Sequence, residues 1–275
     1  MTGKGLLSLN FRQFPSSALL AVLLVTAPVP AFAWGAQGHE IVAAMALREL
    51  TPAARGQVAH LLGGEAMMIH DANWADEVRD QRRDTGSWHY VNIPLAAPGY
   101  DPRRDCPRGD CVVAQIGNDL RLLGDRRAGD PVRAEALRFL IHFVADIHQP
   151  LHAADDGDRG GNDVHVAMGR ERASLHKVWD ADVVQALGYD TGVIAADLER
   201  SMTPAQRKAW SAGTPAAWAN ASQAVARDEI YPPVDGRRFV RLPRDYVFRE
   251  SAVAREQLAK AGVRLAWLLN RVLTG

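Results

Sequence analysis

The stretch from Phe139 to His152, FLIHFVADIHQPLH, limits the fold more than any other part of the chain. It is too apolar to lie on a surface, yet it contains His142, Asp146 and His152, three side chains with the chemistry of metal ligands. His142 and Asp146 are four residues apart, so on a helix they point to one face and can converge on one ion. Pro150 ends that helix. Because the residue before a proline avoids the α conformation, Gln149 is predicted to turn the chain and carry His152 to the same cavity. A second pair at the same spacing, His176 and Asp180 in LHKVWDADV, follows on another predicted helix. One such pair alone is an ordinary helix neighbour, and a lone buried histidine is usually a hydrogen-bonded core residue. Two pairs plus His152, so close in sequence, point instead to a metal centre. Nitrogen and carboxylate oxygen without thiolate is a donor set suited to catalytic zinc.

The first 33 residues have the form of a secretory leader: Lys4 and Arg12 with no acidic residue, an apolar run from Ala18 to Val25, and Ala31-Phe32-Ala33 as a small-x-small cleavage site. The run is too short for a membrane anchor and is followed by Pro28 and Pro30. Cleavage would leave Trp34 as the new N-terminus of a processed domain, 34–275, that acts as a monomer outside the cell or in a periplasm. The 275-residue chain has 32 basic and 32 acidic residues, and loss of Lys4 and Arg12 leaves the processed part at a formal charge of −2. That balance argues against a large basic groove neutralising many phosphates. The only two cysteines, Cys106 and Cys111 in DCPRGDC, are expected to form a disulfide across a short loop, worth about 2 kcal/mol. A zinc knuckle would need further thiolates or nearby histidines.

HEIVAAMALREL places apolar residues all round a helix, so the first helix is predicted to be buried. Thr51-Pro52 starts the next, with Thr51 as cap, and Gly63-Gly64 closes it. Helical signals continue in NWADEVRDQRRD, while SWHYVNIPL favours an extended segment stopped by Pro94. Residues 95–110 read as a loop, and helices are predicted at Cys111 to Leu123 and Pro131 to Ile147. DDGDRGGN is a turn whose Gly160-Gly161 would let backbone approach a ligand closely, and VHVAM is a short possible strand. Further helices are expected from Ser174 to Leu187, Thr191 to Arg200, Pro204 to Ala212, Pro215 to Ile230 and Arg244 to Leu273. The fold is therefore expected to be mainly α, a single multi-helix domain with at most a short β-hairpin.

After the leader the chain begins WGAQGHEIVAAMA, and WADEVR, SWHYVN, HFVADIHQPLH, GGNDVHV and LHKVWD follow in that order. These six motifs resemble the zinc-dependent single-strand-specific nucleases of the S1/P1 family, and the related bacterial zinc-dependent phospholipases C share the fold. The resemblance implies three Zn²⁺ ions. Asp76, His89 and His142 would hold a buried one, with Asp146 shared between it and a second. The second would also take His39 and the freed α-amino nitrogen and carbonyl oxygen of Trp34, and the third would be held by His152, His176 and Asp180. It further implies hydrolysis of single-stranded DNA and RNA to 5′-phosphate products and 3′-nucleotidase activity. In the family's pattern Arg79 contacts the phosphate, Tyr90 stacks on a base and Asn162 hydrogen-bonds a base edge.

At Asn92 many fungal and plant members carry a carboxylate; an amide there cannot act as acid or base, which bears on base preference. His148 and His165 match no metal position and are expected to be structural. A solvated helix charge is the competing role for Arg79, and core packing for Tyr90. Two other functions are open: a phospholipase C, against which Asp180 speaks because those enzymes usually have glutamate there, and a zinc-binding protein without turnover.

Overall fold

The computed structural model describes residues 34–274, and the leader expected at 1–33 lies outside the described residues. The chain is mainly α-helical with one small sheet. The first helix, Ala36–Glu49, buries an unbroken run from Ile41 to Ala46. It can do so because the last helix, Tyr246–Val272, and the helix Thr191–Ser201 pack on it from different sides. At Gly262 the last helix comes so close that a Cβ there would lie 2.8 Å from the Met45 sulfur. Thr51 caps the second helix, Pro52–Leu62, by accepting from Ala54 N, and Gly63 ends it at φ 79°, the left-handed conformation glycine adopts freely.

The central helix, Asp130–Asp146, is buried almost continuously from Ala136 to Asp146 and packs along Val112–Gly124 and against the first and last helices. Gln149 is extended at φ −77°, ψ 113°, and the short 3-10 turn Pro150–His152 follows it, as a proline at position 150 requires. Cys106 and Cys111 are disulfide-bonded.

Three local expectations are corrected. The helical signal in NWADEVRDQRRD yields only the turn Trp74–Glu77, after which Arg79 N and Gln81 N bond to Asp76 O and Val78 O in tighter turns. SWHYVNIPL is extended only from Tyr90. Arg83–His89 is 3-10 helix, because Trp88 packs edge-on to Phe139 and its indole N–H donates to Asp110 at 2.9 Å, tertiary contacts that override β propensity. The hairpin, His165–Met168 (β1) with Glu171–Ser174 (β2), carries a third strand, Phe239–Arg241 (β3), parallel to β1, giving the order β2-β1-β3. Gly169 at φ 63° supplies the positive φ that a two-residue hairpin turn needs.

No helix among the described residues is long and apolar enough to cross a membrane.

Candidate metal centre

Asp146, at the end of the central helix, is fully buried among four imidazoles from four segments. Its Oδ2 lies 3.1 Å from His89 Nδ1 and 3.4 Å from His142 Nε2, and its Oδ1 lies 3.5 Å from His39 Nε2 and 3.7 Å from His152 Nδ1. Asp76 faces the same space, 3.6 Å from both His89 Nδ1 and His142 Nε2. His39 stacks flat on His142, ring centroids 3.8 Å apart. The third group forms a separate corner, with His176 Nε2 3.3 Å from Asp180 Oδ2 and 3.2 Å from His152 Nε2. His39, Asp76 and His142, then His89, His142 and Asp146, then His152, His176 and Asp180, each present ligand atoms within 4.8 Å of one another.

Backbone carbonyls fix the tautomers of three imidazoles. His142 Nδ1 donates to Ala72 O at 2.8 Å, His152 Nδ1 to His89 O at 2.9 Å and His176 Nδ1 to Gly160 O at 2.6 Å. A carbonyl can only accept, so the ring proton sits on Nδ1 and Nε2 offers its lone pair to the cavity. Burial, the main cause, lowers the pKa of His176 to about 4, and that of His152 well below the usual imidazole range with the neighbouring His176 adding to it. Burial also takes His89 to about 4, Asp76 opposing and Arg79 assisting. Neutral imidazoles at pH 7 are what a cation needs. Burial has the opposite effect on Asp146 and Asp180, whose pKa values are raised well above the carboxylate range.

The residues fit a metal cluster on grounds of hydrogen bonding as well. Buried polar atoms in folded proteins are nearly all paired, yet His89 Nε2, His142 Nε2, Asp76 Oδ1 and Asp146 Oδ1 have no hydrogen-bond partner among the described residues. Two Nε2 lone pairs 3.2 Å apart, on His152 and His176, repel unless a cation lies between them.

A family profile described as S1/P1 Nuclease matches residues 34–274. The chain belongs to the S1/P1 nuclease family. It is 31% identical to Endonuclease 2 of Arabidopsis thaliana over 92% of this chain and 95% of that protein. It is 29% identical to Nuclease S1 of Aspergillus oryzae, over 92% and 95% of the two chains, and 29% identical to Nuclease P1 of Penicillium citrinum, over 87% and 97%. Membership in the S1/P1 family supports nuclease activity, and the histidine and aspartate groups support metal binding.

In this S1/P1 family chain the other candidates stand as follows. Arg79 lies 3.8 Å from Asp76 Oδ1, donates to Gly86 O, and is partly exposed; its positive charge helps lower the pKa of His89, His152 and His176. Tyr90, directly after His89, is 36% exposed, and Asn92 is exposed. Asn162 is half-buried, and its Nδ2 already donates to Arg159 O at 2.8 Å. Trp34 is fully buried, and Gly35 lies so close to Asp180 that a Cβ would approach the Asp180 carbonyl oxygen to 3.1 Å. His148 lies outside the site, bonded to Val144 O and Arg264, and His165 is an exposed residue of β1.

Several supporting residues have no sequence signal of their own. Gln149 Nε2 donates to Asp180 Oδ1 at 2.7 Å. Buried Asp158 accepts from Gly161 N and from the Tyr231 hydroxyl, at 2.9 and 2.8 Å, and so holds the loop whose Gly160 carbonyl orients His176. Gly160 is needed here for a backbone rather than a ligand contact: at φ 61°, a Cβ would meet Leu151 O at 2.3 Å. Asp180 sits in a π-helical turn, Val178–Asp182, a distortion that often marks functional sites. The pattern of i, i+4 spacing could not reveal it.

Proposed function

We propose that this chain is an exported zinc nuclease that hydrolyses single-stranded DNA and RNA to 5′-phosphate products and also removes 3′ phosphates from nucleotides. The observation that carries the proposal is the 3.2 Å approach of the His152 and His176 Nε2 atoms, each with its Nδ1 committed to a carbonyl and Asp180 beside them. Three Zn²⁺ ions would be held: by Asp76, His89, His142 and Asp146; by Asp146, His39 and the amine and carbonyl of Trp34; and by His152, His176 and Asp180. Bound zinc supplies an acidified water and positive charge for phosphoester hydrolysis.

The protein's own groups do the rest. Asp146 faces His39, His89 and His142 at once and keeps the first two groups in one cavity. Arg79, with its planar guanidinium at the edge of the site, suits a phosphate oxygen. Tyr90 offers an exposed ring for a base to stack on, and Asn92 and Asn162 offer amides to a base edge. Stacking favours unpaired bases, since those in a duplex are not free to enter a pocket.

Trp34 can serve as a ligand only after cleavage, because an amide nitrogen has its lone pair delocalised. The family match beginning at Trp34 supports a processed start there. Nuclease names among the relatives favour this function over a phospholipase C.

The test is metal analysis of the processed protein alongside assays on single-stranded DNA, RNA, duplex DNA and phosphatidylcholine. Zinc content with preferential hydrolysis of the single strands is expected. One extra residue before Trp34 is expected to remove about one zinc and the activity, since the amine becomes an amide. Hydrolysis of phosphatidylcholine alone, or a zinc-free active enzyme, would overturn the proposal.

A further inference from the structure

Arg138 stands one helical turn before His142 on the central helix, so the two side chains point to the same face. Both reach the 3-10 turn Asp71–Asn73 and grip consecutive residues of it: Arg138 Nε donates to Asp71 Oδ2 at 2.7 Å, and His142 Nδ1 donates to Ala72 O at 2.8 Å. The Asp71 side chain is only 8% exposed, and its other oxygen, Oδ1, lies 2.9 Å from Nδ1 of the exposed His70. A carboxylate buried to this degree costs stability unless a cation answers it, and Arg138 supplies one. The guanidinium also lies 5.6 Å from the Trp74 ring centroid, and Trp74 meets Phe139 edge-on, so Arg138 is itself held from two sides.

The turn has little to hold itself in place. Its closing bond, Trp74 N to Asp71 O, joins residues only three apart, and 3-10 geometry makes such bonds weak. Yet three proposed ligands depend on where it lies. The Ala72 carbonyl keeps the His142 proton on Nδ1 and leaves Nε2 bare toward the cavity. Asp76 follows four residues after Ala72, in the next turn, Trp74–Glu77. Asn73 Nδ2 donates to Ala36 O at 3.3 Å, two residues after Trp34. A shift of the turn would move Asp76 and release the His142 ring, whose proton could then pass to Nε2 and face the ion.

We propose that Asp71 and Arg138 are positioning residues for the metal centre: their ion pair clamps the turn Asp71–Asn73 to the central helix and so holds the Ala72 carbonyl where it fixes the tautomer and ring of His142. The inference rests on the reading of His142 as a ligand given above, and its test does not require cleavage of any substrate. Groups that orient a metal-bound imidazole set how well it binds. Here the orienting group is a backbone carbonyl, and a carbonyl stays put only as well as the turn that carries it.

Competition of the metal-free protein with a chromophoric chelator for zinc, together with ¹⁵N spectra of its imidazoles, tests the clamp in Arg138→Met, Arg138→Lys and Asp71→Asn, each with His142 present and with His142→Ala. Methionine keeps an apolar stem against Trp74 and removes the charge. Arg138→Met is expected to weaken one zinc about tenfold, the low end for groups that orient a ligand, because it acts through Ala72. In the metal-free protein it should speed exchange of the His142 Nδ1 proton about tenfold, as local opening of the turn would. Lysine should restore both to within about threefold of wild type, since it returns the charge without the planar fork. With His142→Ala, Arg138→Met should cost the remaining zinc sites nothing, because residues that act through one another are not additive. Wild-type zinc affinity and proton exchange in Arg138→Met overturn the proposal, and so does an equal tenfold loss with and without His142, which would mark general loosening. Should Arg138→Met fail to fold, Asp71→Asn, which keeps an acceptor for Arg138 and removes the charge, carries the same comparison with an expected loss of about threefold. A wild type that binds no zinc overturns the function proposed above, and the imidazole exchange still decides the clamp.

Discussion

Gln149 offers the most direct probe of how the metal centre is held, because it touches a ligand without being one. It is fully buried and uses both ends of its amide, Nε2 donating to Asp180 Oδ1 and Oε1 accepting from Leu151 N, each at 2.7 Å. Gln149→Met keeps the length of the side chain and removes both bonds. Burial already raises the Asp180 pKa, and the Gln149 donor is what opposes it. Without that donor the carboxyl holds its proton more tightly and must release it before it can ligate. Loss of such a supporting contact typically weakens metal affinity about 10- to 100-fold. Two orphaned buried groups, at about 1–3 kcal/mol each, should lower stability by roughly 2–6 kcal/mol. Gln149→Glu keeps an acceptor for Leu151 N but sets a second buried carboxyl against Asp180, so both affinity and stability should fall, the stability loss growing as pH rises and the pair is forced to ionise. Competition of the metal-free protein with a chromophoric chelator for zinc reads the affinity, and urea unfolding reads the stability. If Gln149→Met binds every ion as tightly as wild type, Gln149 does not support Asp180 as a ligand.

Asp146→Asn places an amide where two histidine groups meet one carboxylate, and hydrolysis should fall to background with loss of bound metal; wild-type turnover would disprove the ligand assignment. Tyr90→Ala should raise KM on single-stranded DNA about fivefold or more, with kcat nearly kept, by loss of one stacking contact; an unchanged KM would return Tyr90 to a packing role. Asp119, remote in sequence from every ligand, is buried with Oδ2 lacking a hydrogen-bond partner among the described residues, and burial first, then Glu135, pushes its pKa from 3.8 to about 8. Between those values the folded state holds a proton that the unfolded state has lost, so its contribution to stability declines as pH rises from 4 to 8. Asp119→Asn should therefore match wild type near the lower end and exceed it by on the order of a few kcal/mol at the upper end, and a difference independent of pH in urea unfolding would contradict this.

What could be seen in the sequence was local. His142 with Asp146, His176 with Asp180, and the turn forced by Pro150 follow from spacing and from proline's effect on its neighbour, and the structure gathers these side chains into ligand groups linked through His152. The long helices were visible for the same reason, since apolar period and caps such as Thr51 act within one or two turns. Ser87 to His89 read as extended because Trp88 and Tyr90 favour strands in isolation; they are 3-10 helix, and the contacts of Trp88 with Phe139 and Asp110 come from distant parts of the chain. The third strand, Phe239–Arg241, is three residues long and pairs with a strand far earlier in the sequence, so neither alternation nor length announces it. Asp158 and Tyr231 have ordinary side chains, and only their meeting at 2.8 Å under the Gly160 loop gives them a role.

Charge needs the same distinction between chain and place. A net charge near zero argues against a deep basic groove, and at the metal-ligand groups Arg79 lies 3.8 Å from Asp76. Arg172 and Arg241 instead flank Ala167 on one row of the sheet, whose strand β2 ends two residues before His176. A dinucleotide would meet mainly the metal centre, whereas a longer strand would bring further phosphates near these two arginines. Salt should therefore weaken capture of long strands more than of dinucleotides, because only phosphates that displace counterions contribute to the slope. A common slope for both lengths would mean that the cavity alone captures the strand.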